Sequence, residues 1–213
     1  VTLRAVLWDF GGVILSSPFE AFNRYEAAHG LPRDFIRSVN ARDPDTNAWA
    51  RMERSEVDAD AFGLLFAAES AALGHRVDGR DVLALLAGEI RPRMVAALKT
   101  VKTRYKTACL TNNVKRGHGP GMSRTPEQAA AIAGVMALFD CVVESSKVGA
   151  RKPEPAFYRH ACAALGIAPE EAVFLDDLGI NLKPAAAMGM KTIKVTDPDV
   201  ALAELGAIVG MAL

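Results

Sequence analysis

The sequence predicts an α/β protein, a three-layer parallel-sheet core with a helical segment inserted after the first strand. Three observations predict it. Short apolar runs alternate with helical periodicity through the second half of the chain, and each run stops at polar residues or glycine. Residues 17–93 interrupt that alternation with helical patterns alone. Alternating βα units imply a parallel sheet with right-handed crossovers. The length of 213 residues can bury a substantial core.

Composition narrows the function classes. Basic and acidic residues balance at 25 each, so the chain has no electrostatic footprint for nucleic acid or an acidic membrane. No apolar run reaches the roughly 18–20 residues of a membrane span, and the longest, Ala129 to Phe139, contains Gly134. The N-terminus is a strand pattern without signal-peptide architecture. Cys109, Cys141 and Cys162 are odd in number, lack metal-type spacing and sit among apolar neighbours, as core cysteines do. A cytoplasmic protein without nucleic-acid or membrane partners is expected, and its oligomeric state is not legible.

The first strand is Leu3 to Trp8, closed by the turn-formers Gly11-Gly12. Asp9 stands where it ends, and the carboxyl ends of parallel strands are where ligands bind. Helical spacings follow: Pro18 to Ala28 ended by Gly30, then Trp49-Met52, Val57-Ala68 and Val82-Ile90. Breakers fall at Gly30-Leu31-Pro32, Asp43-Pro44-Asp45 and Gly74 to Gly79. This block reads as a cap domain, residues 17–93, on a core made of residues 1–16 and 94–213. Trp49, Arg51 and Met52 are its candidate cleft residues, although Trp49 and Met52 equally suit a cap interior.

Strands return at Tyr105 to Leu110, ending at Thr111-Asn112-Asn113, and at Asp140 to Val143, followed by the turn Glu144 to Gly149. Residues Lys115 to Gln128 read as an exposed loop rich in Gly, Pro and basic residues, whose Lys115, Arg116 and His118 can meet an anionic group. Lys152-Pro153-Glu154-Pro155 opens a helix stopped by Gly166. Ala172 to Leu175 is a strand ending in Asp176-Asp177, a helix through Leu182 to Met188 follows, and Lys191 to Val195 is the last strong strand.

Four strand ends thus carry complementary polar residues: Asp9, Thr111-Asn112, Lys152 and Asp176-Asp177. Each alone suits a cap, a turn or a surface position. Together they suit phosphoryl transfer through an aspartyl-phosphate. Asp9 is the candidate nucleophile, and Lys152 pairs it with a phosphoryl oxygen. Thr111, Asn112 and nearby N–H groups donate to the other phosphoryl oxygens. Mg²⁺ takes hard oxygen ligands, here Asp9, Asp177, the carbonyl of Gly11 and the neighbouring Asp176. Asn181 is placed to orient Asp177 or Lys152.

These motifs identify a resemblance. Trp8-Asp9-Phe10-Gly11-Gly12-Val13, Leu110-Thr111-Asn112-Asn113, Lys152-Pro153 and Phe174-Leu175-Asp176-Asp177 with Asn181 resemble the haloacid-dehalogenase-like hydrolase superfamily over essentially the whole chain. The closer likeness is to the N-terminal phosphatase domain of soluble epoxide hydrolase and the corresponding domain fused to some acyl-CoA dehydrogenases. Val143 to Pro155 with Tyr158, and Phe174 to Lys183, carry it. The resemblance implies a Rossmann-like core, a helical cap, Mg²⁺ dependence, a small phosphorylated substrate and Asp177 as the direct metal ligand.

Gly11 departs from the pattern. Phosphatases of the family usually carry a second aspartate there as general acid and base, worth ~10²–10⁴-fold in rate. Three readings follow: an acid from the cap (Asp43, Asp45 or Glu53), substrates with good leaving groups such as acyl phosphates, or a slow phosphatase with a binding role. A 2-haloacid dehalogenase tolerates Gly11 but gains nothing from two further carboxylates.

Overall fold

The computed structural model describes residues 2–113 and 125–213. Its sheet runs in the order β3-β2-β1-β4-β5, with all neighbouring pairs parallel: β1 (Ala5–Trp8), β2 (Lys106–Thr111), β3 (Cys141–Glu144), β4 (Ala172–Asp176) and β5 (Lys191–Lys194). The first strand is therefore central, and the strand order reverses on either side of it, which is where an open α/β sheet binds ligands.

The three central strands, β1, β2 and β4, are buried on both faces, and their period of two sorts the core. Val6, Trp8, Val173 and Leu175 pack with α6 (Pro92–Val101), α7 (Pro126–Met136) and α11 (Pro198–Val209). Ala5, Leu7, Ala108, Leu110 and Phe174 face the other way, against α9 (Pro155–Leu165) and α10 (Gly179–Ala187). Each large apolar side chain so buried contributes about 1.5–3 kcal/mol. The sandwich is the expected Rossmann-like α/β fold.

Between β1 and β2 lie α1 (Pro18–Ala28), α2 (Phe35–Ala41), α3 (Ala48–Glu53), α4 (Ala59–Ala72) and α5 (Gly79–Ala84). They pack around a core of their own, with Phe22, Ile36, Phe62, Phe66 and Val82 buried. The segment leaves and rejoins the sheet at one place. Leu15 and Ile90 form an antiparallel bridge, flanked by Ser16 N–H to the Glu89 carbonyl (2.8 Å) and Arg91 N–H to the Ile14 carbonyl (2.9 Å).

Several boundaries differ from expectation. Helix α5 begins at Gly79 and stops at Ala84, because Asp78 caps it through the Arg80 N–H; capping outweighs the glycine there. Ile90 belongs to the bridge. Helix α7 opens at Pro126, the helix start its sequence position suggests, with Thr125 as its cap. The expected loop thus ends before Gln128. The turn after β3 is a short helix, α8 (Ser145–Val148). Helices α2, α6 and α11 add to the expected elements; Asp197, Pro198 and Gly210 cap and close α11. Among the described residues no helix is long and apolar enough to cross a membrane.

Candidate active site

The site is built where β1 stops. Asp9 is held by its N–H to the Leu175 carbonyl (2.8 Å), and its Oδ1 accepts from the Phe10 N–H at 2.6 Å. Gly12 turns the chain with φ of 83°, a region where glycine carries no steric penalty. A Cβ there would also lie 2.2 Å from Asp177 Oδ2. The Asp177 carboxylate therefore rests directly on the turn that follows Asp9. Gly11 is different: its φ and ψ of −74° and 127° suit any residue, and a Cβ added there meets no atom within 4 Å.

Lys152 closes the site from the loop before α9. It is 1% exposed, and its Nζ lies 2.7 Å from Asp9 Oδ1 and 2.7 Å from Asp176 Oδ2. The Phe174 ring centroid lies 5.6 Å from it. Asp176 is fully committed. Oδ1 accepts from the Leu178 N–H (2.8 Å) and Asn181 Nδ2 (3.0 Å), and Oδ2 from Lys152 and Asn181. Asn181 is therefore a partner of Asp176, not of Asp177 or Lys152 as expected. It sits in the first turn of α10, where its amide faces the nearer strand residue, and its carbonyl accepts from Tyr158 Oη at 2.7 Å.

Asn112 also departs from its expected role. Its Oδ1 accepts from the Lys152 N–H (2.8 Å) and its Nδ2 donates to the Lys152 carbonyl (2.9 Å). The amide is spent on holding the lysine's backbone, which leaves it no free group for the substrate contact expected of it. Thr111 ends β2 buried, and its hydroxyl has no protein partner among the described residues. Asn113 ties the ends of β2 and β3 together through Glu144 Oε1 (2.8 Å) and Ser145 Oγ (3.0 Å).

The electrostatics follow from this crowding. Asp9, Asp176 and Asp177 each offer a carboxylate oxygen, all within 4.8 Å of one another, against the single ammonium of Lys152. Burial pushes the Asp9 carboxyl well above its ordinary value; Lys152 opposes this, while Asp176 and Asp177 add to it. Asp177 is pushed up to about 6 by burial and then by Asp176. Burial would lower Lys152, but Asp176 and Asp9 outweigh it and the lysine is held charged. Ionised, the three carboxylates leave two negative charges uncompensated, and every free donor is a hard oxygen. That set fits a divalent cation such as Mg²⁺. Asp9 and Asp177 have oxygens to give it, whereas those of Asp176 are already taken.

The helical segment brings one further acid to this edge. Asp43 and Asp45 are exposed, but Glu53 is buried. Its Oε1 accepts from Trp49 Nε1 (3.0 Å), and its Oε2 from Asn112 Nδ2 (3.3 Å), beside an ion pair with Arg151 Nε. Met52 lies in the interior of the helical segment and Trp49 packs on Phe62, while Arg51 pairs with Glu56. Lys115, Arg116 and His118 lie outside the described residues. Arg151 and Tyr158 were not expected at the site; the only sequence signal for Arg151 is that it adjoins Lys152. The three cysteines are buried or half-buried, and burial raises their thiols.

Comparison with known proteins agrees with the fold and the motifs. The family haloacid dehalogenase-like hydrolase matches residues 3–189. Acyl-CoA dehydrogenase family member 10 of Mus musculus is 32% identical over 216 residues, covering 99% of this chain and 19% of that protein. Bifunctional epoxide hydrolase 2 of Sus scrofa is 32% identical over 230 residues, covering 100% of this chain and 40% of that protein. The chain thus spans well under half the length of either relative. A HAD family enzyme of Bacteroides thetaiotaomicron, crystallised with magnesium and inorganic phosphate, superposes with a TM-score of 0.59 at 19% identity, over 90% of this chain and 93% of its own.

Proposed function

The chain belongs to the haloacid dehalogenase-like hydrolase family, and from that premise we propose that it hydrolyses small phosphomonoesters through an aspartyl-phosphate on Asp9. The observation that carries the reading is the position of Lys152 Nζ, 2.7 Å from both Asp9 and Asp176, with Asp177 close by and two negative charges in excess. The HAD family enzyme noted above, crystallised with magnesium and phosphate, is consistent with it.

Asp9 Oδ1 is occupied by the Phe10 N–H and Lys152, which leaves Oδ2 to attack phosphorus. The Oδ2–P bond forms as the ester P–O bond breaks, and the departing alcohol oxygen keeps the electron pair and takes a proton from solvent water, since Gly11 has none to give. Water then attacks phosphorus, the Oδ2–P bond breaks to restore the carboxylate, and inorganic phosphate leaves while the water's proton passes to solvent. An ammonium has three donors; two of those on Lys152 are used, and the third serves a phosphoryl oxygen. The Thr111 hydroxyl serves another. Asp9, Asp177 and the Gly11 carbonyl would hold Mg²⁺, which when bound would supply charge neutralisation between anionic nucleophile and anionic substrate. Residues 17–93 act as a cap domain over this edge, a division supported by their separate core and shared crossing.

Turnover of p-nitrophenyl phosphate and acetyl phosphate with Mg²⁺, lost in EDTA, is the expected result. Hydrolysis of neither, or chloride release from 2-chloropropionate in EDTA, would sink it. Gly11→Asp is sterically free, so it should fold, and it should raise turnover of alkyl phosphates by ~10²-fold or more. Acetyl phosphate, whose leaving group needs no proton, should gain little; equal gains would show that the acid is already replaced.

Metal linkage gives a separate test. Asp177 ionises at about 6 in the fold against an ordinary 3.8, so the folded state binds its proton more tightly than the unfolded chain. Stability in EDTA should therefore fall as pH rises from about 4 through 6, by at most ~3 kcal/mol. At pH 7 Mg²⁺ at about 100 times its Kd should restore about 2.7 kcal/mol, a rise in Tm of ~5–10 °C. Thermal unfolding in EDTA and in Mg²⁺ checks both.

A further inference from the structure

We infer that Glu53 is a positioning residue for Lys152, acting through Asn112 from the far side of the interface between the helical segment and the sheet. The inference rests on the phosphatase reading for the lysine's purpose, but its geometry stands alone. Asn112 grips both backbone polar groups of Lys152, the N–H at 2.8 Å and the carbonyl at 2.9 Å. A single amide doing this fixes where the lysine's side chain begins. Glu53 Oε2 takes the same Nδ2 at 3.3 Å and fixes the amide's rotation. With both of its hydrogen-bonding ends directed, the amide has one orientation to offer.

The surroundings of Glu53 support this role. Its two oxygens face Trp49 Nε1, Asn112 Nδ2 and the Arg151 guanidinium. All three are donors or cations, so the carboxylate form is the one its neighbours fit, although burial pulls the other way and raises it. A protonated Glu53 would lose one of these partners, which makes it a poor candidate for the acid absent at Gly11.

The same interface is charge-complementary along its length. Glu53 and Arg54 end α3, and Arg151 and Glu154 flank Lys152. Glu53 pairs with Arg151, and Arg54 Nη1 reaches Glu154 Oε1 at 3.5 Å. Arg151 Nη1 also donates to the Pro44 carbonyl (2.9 Å), and Ser55 Oγ to the Ser146 carbonyl (3.3 Å). Docking of the helical segment thus adds the Glu53 contact to the grip of Asn112 on the lysine.

The test is Glu53→Gln, with Asn112→Ser as the second variant. Glu53→Gln should lower kcat by about 10–100-fold, equally on acetyl phosphate and an alkyl phosphate, with KM changed less than about threefold and the pH profile unmoved. In the Asn112→Ser background its effect should shrink to about twofold, because both act on one element. Hydrogen exchange gives an arm independent of turnover: the peptide carrying Lys152 should exchange faster in Glu53→Gln while β1 and β4 do not. Unchanged exchange there overturns the inference, and so does a loss confined to the alkyl phosphate, which would make Glu53 the proton donor. If the wild type hydrolyses no phosphoester yet exchange rises, the phosphatase reading fails and the positioning stands.

Discussion

Asparagine in place of Asp9 should leave a folded protein that releases no measurable phosphate. The amide oxygen is a far weaker nucleophile toward phosphorus and cannot form the aspartyl-phosphate, and removing a nucleophile that acts as one unit with its partners costs roughly 10⁴-fold or more. Folding should not suffer. Lys152 keeps Asp176 at 2.7 Å, and one of the two uncompensated negative charges disappears. Asp9→Asn should therefore unfold in EDTA at the wild-type temperature or above it. Steady-state phosphate release and thermal unfolding check the two halves. Retained turnover above about 1% of wild type, judged against that expected loss, would remove Asp9 from the chemistry.

Lys152→Met should fail in the opposite way, through stability. Lys152 is 1% exposed and holds two carboxylates at 2.7 Å. Methionine fits the volume but leaves Asp9, Asp176 and Asp177 facing one another with no cation. Breaking a buried pair by removing one partner costs about 3–5 kcal/mol, which in a chain of this size lowers Tm by roughly 6–20 °C. Adding Asp176→Asn should recover part of the loss, because it removes one uncompensated charge while an amide can still meet the Leu178 N–H. A Lys152→Met protein within ~1 kcal/mol of wild type would contradict the buried-triad account, since it lies far below the cost of an orphaned pair.

The residues that these predictions turn on were legible because a parallel sheet converts sequence position into spatial position. Asp9, Thr111 and Asp176-Asp177 each follow an apolar run, so a count of strands already places them on one edge. The period of two even predicts which face Val6 and Trp8 share. What the sequence leaves unread is the choice of partner. Asp176 and Asp177 are adjacent and chemically identical, yet one is bound by Asn181 and the other rests on Gly12. That division depends on side-chain direction at the strand end. Asn112 and Glu53 are 59 positions apart, and nothing local to either announces the other. Glu53 was one of three acids open to the place of the missing proton donor; the docking of α3 brings it, and not the exposed Asp43 or Asp45, against Asn112, where its donor neighbours suit it to positioning instead. Helix α11 is a different case, since Asp197-Pro198 and Gly210 are ordinary start and stop signals.

The bridge between Leu15 and Ile90 bears on how such a chain can change over time. To the sheet, everything between Ser16 and Glu89 is the loop of a hairpin, because its two ends are already hydrogen-bonded to each other. Loop-closure entropy grows only with the logarithm of length, and this loop has an interior of its own. Insertions, deletions or wholesale replacement within it leave the strand order and the spacing of Asp9, Lys152, Asp176 and Asp177 untouched. On the proposed reading, the residues of the reaction and the segment proposed as a cap are therefore written in separable stretches of the gene, joined in part by contacts such as Glu53 with Asn112. A lineage can rewrite one and keep the other, provided that this small seam is remade each time.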